Sequence, residues 1–256
     1  MENIREKHFK IHDGDISLDA VLNMPNHSGT EKPALCIIIH GFTGNKDERH
    51  LIAVSDMMNS LGIATLRVDM FGHGLSDGEF KNHTLDIWVS NASAVLDYAC
   101  SLNEFSKIIL CGHSQGGLTV ILTGAQKQEL TECIIPLSPA LTIPEGARAG
   151  DLLGNRFDPD KIPDEFQAKE GWILRSGYIK AAQRIHVEDY IRAYHKPVMI
   201  AHGSEDMTIP VDYVKKAAAD FDDCTLDVIE GDSHCFDDHL EEMVEAVRKF
   251  LVKAGY

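Results

Sequence analysis

The sequence predicts an α/β fold, a mostly parallel sheet covered by helices on both faces. Three observations predict it. Short continuous apolar runs, such as 34–39 and 107–111, read as strands buried on both faces. They alternate with longer stretches of helical apolar spacing, so each strand has a crossover helix. The chain has 256 residues and 44% hydrophobic content, enough for one large core with room for an insertion.

The elements follow in order. Residues 8–23 alternate apolar and polar around Asp13-Gly14-Asp15, which predicts an antiparallel hairpin wet on one face. Residues 25–33, between two prolines, read as a loop. Residues 34–39 are a buried strand, ended by His40-Gly41-Phe42-Thr43-Gly44. A helix over 47–61 carries Leu51, Val54, Met57, Met58 and Leu61 on one face and stops at Gly62. A strand over 63–69 leads into the glycine-rich loop 70–78. Thr84 is placed to cap a helix running to about residue 102. The strand 107–111, a turn and the apolar helix from 118 come next, then a strand over 132–137. From 139 to 193 the rhythm breaks in a proline- and aromatic-rich insertion. It resumes with a strand at 197–202, a helix at 211–220, a strand at 225–229 and a helix at 238–253. The core is therefore expected over 1–138 and 194–256, with 139–193 inserted at the carboxyl edge of the sheet, where ligands bind in such folds.

A formal net charge of -16 argues against nucleic acid and anionic membrane surfaces as partners. No apolar leader and no membrane-length stretch is visible. The six cysteines are scattered, several within apolar runs, with no Cys-x-x-Cys pair. This composition predicts a reduced, cytoplasmic protein.

The chemistry starts at Gly112-His113-Ser114-Gln115-Gly116, a Gly-x-Ser-x-Gly set between a strand and a helix. A turn that sharp strains the serine backbone and needs glycines where a Cβ would collide. It presents the hydroxyl above a helix N-terminus, the arrangement of a nucleophile elbow. Serine needs a base, and the base an orienting acid. In this architecture they follow in the order Ser, Asp or Glu, His, each after a strand. The order selects Asp206 as acid, with Glu205 as its neighbouring alternative, and His234 as base. His40 and His202 fit structural hydrogen bonds at strand ends. An oxyanion needs two backbone donors: the N–H of Gln115, after the nucleophile, and that of Phe42 in the loop 40–44. No dinucleotide, Walker or metal-ligand spacing is present, so no cofactor and no metal site is expected.

On these motifs the chain resembles the α/β-hydrolase superfamily over nearly its whole length. More narrowly it is similar to the bacterial cinnamoyl (feruloyl) esterases. The superfamily likeness rests on His40 to Gly44, Asp69 to Ser76, Gly112 to Gly117, His202 to Pro210 and Gly231 to Phe236; the narrower one rests on the loop His40 to Gly44, the elbow Gly112 to Gly117 and the insertion, with Gly231 to Phe236 downstream. The resemblance implies an α/β-hydrolase fold with a cap formed by 139–193. It implies hydrolysis of hydroxycinnamoyl (feruloyl, p-coumaroyl or caffeoyl) esters through a serine acyl-enzyme. It also makes Tyr178 a candidate to hydrogen-bond the ring hydroxyl of such an acyl group. Alternatives in the same class are a monoacylglycerol lipase-like enzyme, a short-chain carboxylesterase and a thioesterase. A catalytically silent binding module is the alternative outside it. The insertion's aromatics could equally line a homodimer contact.

Overall fold

A computed structural model of the chain describes residues 5–25, 31–169 and 171–256. Residues 1–4, and 26–30 of the expected loop, lie outside the described residues. Strands β1 (Arg5–Asp13) and β2 (Ile16–Met24) form the opening hairpin. On β1 the predicted wet face is present: Ile11 is buried between exposed Lys10 and His12. On β2 it is absent, because Leu18 through Asn23 are all buried. β2 is an inner strand of the sheet, and its polar Asp19 meets a buried cation, Lys46, at 2.9 Å.

Strand β3 (Leu35–Ile39), helix α1 (Arg49–Ser60), β4 (Ala64–Val68), α2 (Leu85–Leu102), β5 (Ile108–His113), α3 (Gln115–Gln126) and β6 (Cys133–Leu137) keep the predicted alternation. Thr84 caps α2 by accepting the Ile87 N–H at 3.2 Å. The next stretch contains α4 (Thr142–Ala149), the short pair β7 (Asp151–Leu152) and β8 (Asn155–Arg156), and the hairpin β9 (Glu165–Lys169) and β10 (Trp172–Arg175). Helices α5 (Ser176–Gln183) and α6 (Val187–Ala193) complete it. The chain then returns to the sheet with β11 (Val198–Gly203), α7 (Val211–Asp220), β12 (Cys224–Ile229) and α8 (Leu240–Lys253).

Eight strands make the main sheet in the order β1-β2-β4-β3-β5-β6-β11-β12. The β1–β2 and β2–β4 pairs are antiparallel; every other pair is parallel. This is the α/β-hydrolase fold. The continuous apolar strands are explained by two cores, one on each face. One holds Leu51, Met58, Met243 and Leu251 from α1 and α8. The other holds Trp88, Leu96, Leu118 and Ile121 from α2 and α3, and runs on without a break into Leu152, Phe166, Leu174, Tyr178 and Ile191 of the stretch between β6 and β11. Burying each such side chain contributes roughly 1.5–3 kcal/mol. Among the described residues no disulfide joins the cysteines, and no helix is long and apolar enough to cross a membrane.

Candidate active site

The site lies at the carboxyl ends of the parallel strands. Ser114 sits between β5 and α3 with φ 54° and ψ −116°, a conformation that L residues rarely adopt. The neighbours enforce it. The Ser114 N–H donates to Leu137 O at 2.8 Å, fixing the turn to β6. A Cβ on Gly112 would stand 2.3 Å from Gly116 O, and one on Gly116 would stand 2.4 Å from both Ile39 O and His40 O. Only glycine lets the strand, the turn and the helix approach this closely.

The structure brings the three residues selected by chain order together. Ser114 Oγ is 2.9 Å from His234 Nε2, and His234 Nδ1 is 2.6 Å from Asp206 Oδ2. Asp206 follows β11. Its other oxygen accepts the Thr208 and Ile209 N–H groups at 2.7 and 2.9 Å, so the carboxylate closes its own turn. Burial opposes its ionisation, but the hydrogen bond and charge of His234, with the two N–H donors, outweigh that and hold the carboxyl below its usual range. Glu205, beside it, makes no part of this chain; its N–H donates to Asp232 O. His202 Nε2 contacts Asp206 Oδ2 at 3.3 Å and Ile209 O at 2.9 Å, bracing the same turn.

The His234 loop after β12 is held from below. Asp232, fully buried, accepts the N–H groups of Ser233 (2.8 Å), Asp238 (3.2 Å) and His239 (3.2 Å). His239 therefore stands at the N-cap of α8 rather than inside the helix. Beside the elbow, His113 Nε2 lies 2.9 Å from the His234 carbonyl and donates to it, which ties the nucleophile strand to the base loop. The sequence offered no signal for His113 or Asp232 beyond their adjacency to Ser114 and His234.

The loop after β3 lies against the elbow: a Cβ on Gly41 would be 3.3 Å from Ser114 Cβ. Its Phe42 ring packs edge-on against Phe80 and Tyr178 at 5.3 and 5.7 Å. The loop is anchored at its far end by Lys46, buried among Asp19, Asp69 and Asp47 at 2.9, 3.0 and 3.3 Å. Burial works against the ammonium, but these carboxylates dominate and raise its pKa. His40 accepts the Met70 N–H at 3.0 Å and donates to Gly41 O at 2.7 Å, a structural role as its strand-end position suggests. Burial and the neighbouring His73 keep it neutral, with its pKa well below the usual value.

A cavity of about 690 Å³ opens over Ser114. One side is the sheet edge, with Phe42, Ser114 and His234; the other is Ile143, Leu152 and Ala168. Tyr178 does not line it. The family resemblance implies a hydroxyl at the end of an acyl pocket, but the group is fully buried and donates to Gln115 Oε1 at 2.6 Å. The β10–α5 junction turns the phenol inward, toward the elbow. Trp172 is exposed, and its ring meets that of Phe80 at a tilt, with centroids 4.4 Å apart, outside the cavity lining. A strained serine, an imidazole, a buried carboxylate and a helix N-terminus beside an apolar cavity can together carry acyl transfer.

Residues 30–163, just over half of the chain, match the family model Hydrolase_4, described as serine aminopeptidase, S33. The structure is similar to that of Est1E from Butyrivibrio proteoclasticus with ferulic acid bound, with 48% sequence identity and a TM-score of 0.93 over 96% of this chain and 98% of that one. The sequence is also similar to that of the mouse mitochondrial palmitoyl-protein thioesterase ABHD10, at 27% identity over 188 residues. That match takes in 68% of this chain and only 59% of the relative's length. The Pyrococcus furiosus esterase Pf2001, at 20% identity and a TM-score of 0.73, shares the fold.

Proposed function

The chain belongs to the serine hydrolase family described as Hydrolase_4, serine aminopeptidase S33, and from that premise we propose that it is a carboxylic ester hydrolase acting through a Ser114 acyl-enzyme. The observation that carries this reading is the unbroken hydrogen-bonded chain from Ser114 through His234 to Asp206. His234 takes the serine proton as Oγ attacks the ester carbonyl. Asp206 holds the imidazole in the tautomer that accepts this proton at Nε2 and stabilises the imidazolium. The Phe42 and Gln115 N–H groups receive the oxyanion, a contribution worth about 10²–10³ in rate for each donor in comparable sites. His234 then protonates the leaving alkoxide, and water repeats the sequence to release the acid. No cofactor enters these steps.

Within this reading the substrates are hydroxycinnamoyl esters, supported by the likeness to Est1E, a protein that binds ferulic acid. Residues 139–193 act as a cap whose Ile143, Leu152 and Ala168 form the apolar side of the acyl cavity. The scattered cysteines, with no Cys-x-x-Cys pair, favour a cytoplasmic location. A second reading, a thioesterase, has the likeness to ABHD10 in its favour. Turnover of methyl ferulate, a medium-chain p-nitrophenyl ester and a medium-chain acyl thioester separates the readings. Methyl ferulate should give the highest kcat/KM; an acyl-chain substrate ahead by orders of magnitude refutes the substrate assignment. Ser114→Ala should lower hydrolysis at least about 10⁴-fold, and unchanged turnover refutes the mechanism.

A further inference from the structure

Glu48, His50 and His113 face one another beside the elbow, with Glu48 and His113 at the wall of the cavity, and none of them takes part in acyl transfer. One donor atom from each lies within 4.8 Å of the other two. His50 Nε2 and Glu48 Oε2 are 3.9 Å apart, and the two imidazole rings meet edge to face at 4.2 Å. His50 and His113 are 5% and 3% exposed. The three atoms that meet there, Glu48 Oε2, His50 Nε2 and His113 Nδ1, are all buried without a hydrogen-bond partner among the described residues. Buried polar groups are nearly always paired, so three orphaned atoms of ligating type converging on one point mark a site for something that supplies the missing bonds.

The geometry points to a divalent transition-metal site of zinc type, with Glu48, His50 and His113 as its ligands. The tautomer of His113 fits. Its Nε2–H is committed to the His234 carbonyl, which leaves Nδ1 as a bare lone pair. A backbone carbonyl on the far nitrogen is how metal-ligating histidines are usually oriented. The backbone keeps the donors uncovered: a Cβ on Gly41 would stand 3.1 Å from His113 Nδ1, and one on Gly44 would stand 2.3 Å from Glu48 Oε2. Two imidazoles with one carboxylate select zinc-like ions over calcium or magnesium, which prefer oxygen-only shells. Bonds of about 2.0–2.1 Å space tetrahedral ligand atoms roughly 3.4 Å apart, so the donors must draw in by about an ångström or slightly more. The sequence predicts no metal site, because the ligands come from a Glu-x-His pair at the start of α1 and a histidine more than sixty residues away on β5. Only the fold brings them together. This assignment stands independently of the proposed activity.

The test uses the full chain, kept reduced, stripped with a chelator and dialysed against micromolar zinc, with bound metal counted by elemental analysis. One equivalent should be retained. His50→Phe, which keeps a ring and removes the donor, should weaken binding at least about tenfold. Glu48→Gln is a second variant with the same expected loss, should the first fold poorly. Cobalt(II) in place of zinc should give visible d–d absorption without a thiolate charge-transfer band. Failure to retain metal overturns the assignment, leaving water to serve the three atoms. Equal retention by the wild type and both variants, or a thiolate band from one of the cysteines, overturns it as well.

Discussion

Replacing Tyr178 with phenylalanine separates two roles for one hydroxyl. In the structure the group is buried and donates to Gln115 Oε1 at 2.6 Å. Its removal leaves a buried acceptor unpaired, which costs about 1–3 kcal/mol of stability. For a chain of this size each kcal/mol lowers Tm by roughly 2–4 °C. Gln115 also carries the N–H expected to receive the oxyanion. Complete loss of such a donor costs about 10²–10³ in rate; loosening its side chain shifts the donor without deleting it, so kcat should fall about tenfold. The fall should be the same for methyl ferulate and for the unhydroxylated methyl cinnamate, with KM little changed. Steady-state kinetics on both esters, with calorimetry, measures it. If Tyr178→Phe leaves Tm unchanged and raises KM only for the hydroxylated acyl group, the hydroxyl serves the substrate and the reasoning from its buried partner fails.

Two further outcomes follow from the geometry. Gly116→Ala puts a Cβ 2.4 Å from two backbone carbonyls that cannot swing aside, so the elbow must move and kcat should drop about 10²-fold or more; labelling by a serine-directed phosphonate should slow in parallel, and wild-type labelling would contradict the packing argument. His83 is pushed down to about 3, first by burial and then by neighbouring His73, whereas the unfolded chain takes up a proton near pH 6.5. Its contribution is therefore complete above about pH 6.5 and is lost as pH falls toward 3, amounting to about 2 kcal/mol between pH 7 and pH 5. Urea unfolding at the two pH values should show this loss, and His83→Gln should shrink it; an unaltered pH dependence in the variant would rule out His83 as its source.

Much of the fold was legible because the local signals agree with the global arrangement. The runs 34–39 and 107–111 are apolar throughout because β3 and β5 are central and covered on both faces. Gly112, Ser114 and Gly116 carry their geometry in their own chemistry, since a positive φ and close carbonyls restrict what can stand there. Chain order was enough to bring forward Asp206 and His234, because strand ends on one edge of a parallel sheet converge. What was not legible depends on contacts between distant segments. The hairpin pattern could not say that β2 is an inner strand. A tyrosine in α5 reads alike whether it faces a cavity or a neighbouring amide. His113 differs from any strand-end histidine only through its contact with a carbonyl 121 residues away.

The core that joins α2 and α3 to residues 152–191 has a consequence for engineering. A segment that closed a cavity with its own interior could be exchanged between relatives as a module. Here the segment that walls the cavity with Ile143, Leu152 and Ala168 also packs α5 against α2 and α6 against α3, so a transplanted segment would arrive with half of its packing left behind. Altering acyl preference should therefore demand paired changes, one above the cavity and one on the buried face of α2 or α3. Protection of the Tyr178 and Ile191 amides against hydrogen exchange should then track that of the sheet, since the two would open as one cooperative unit.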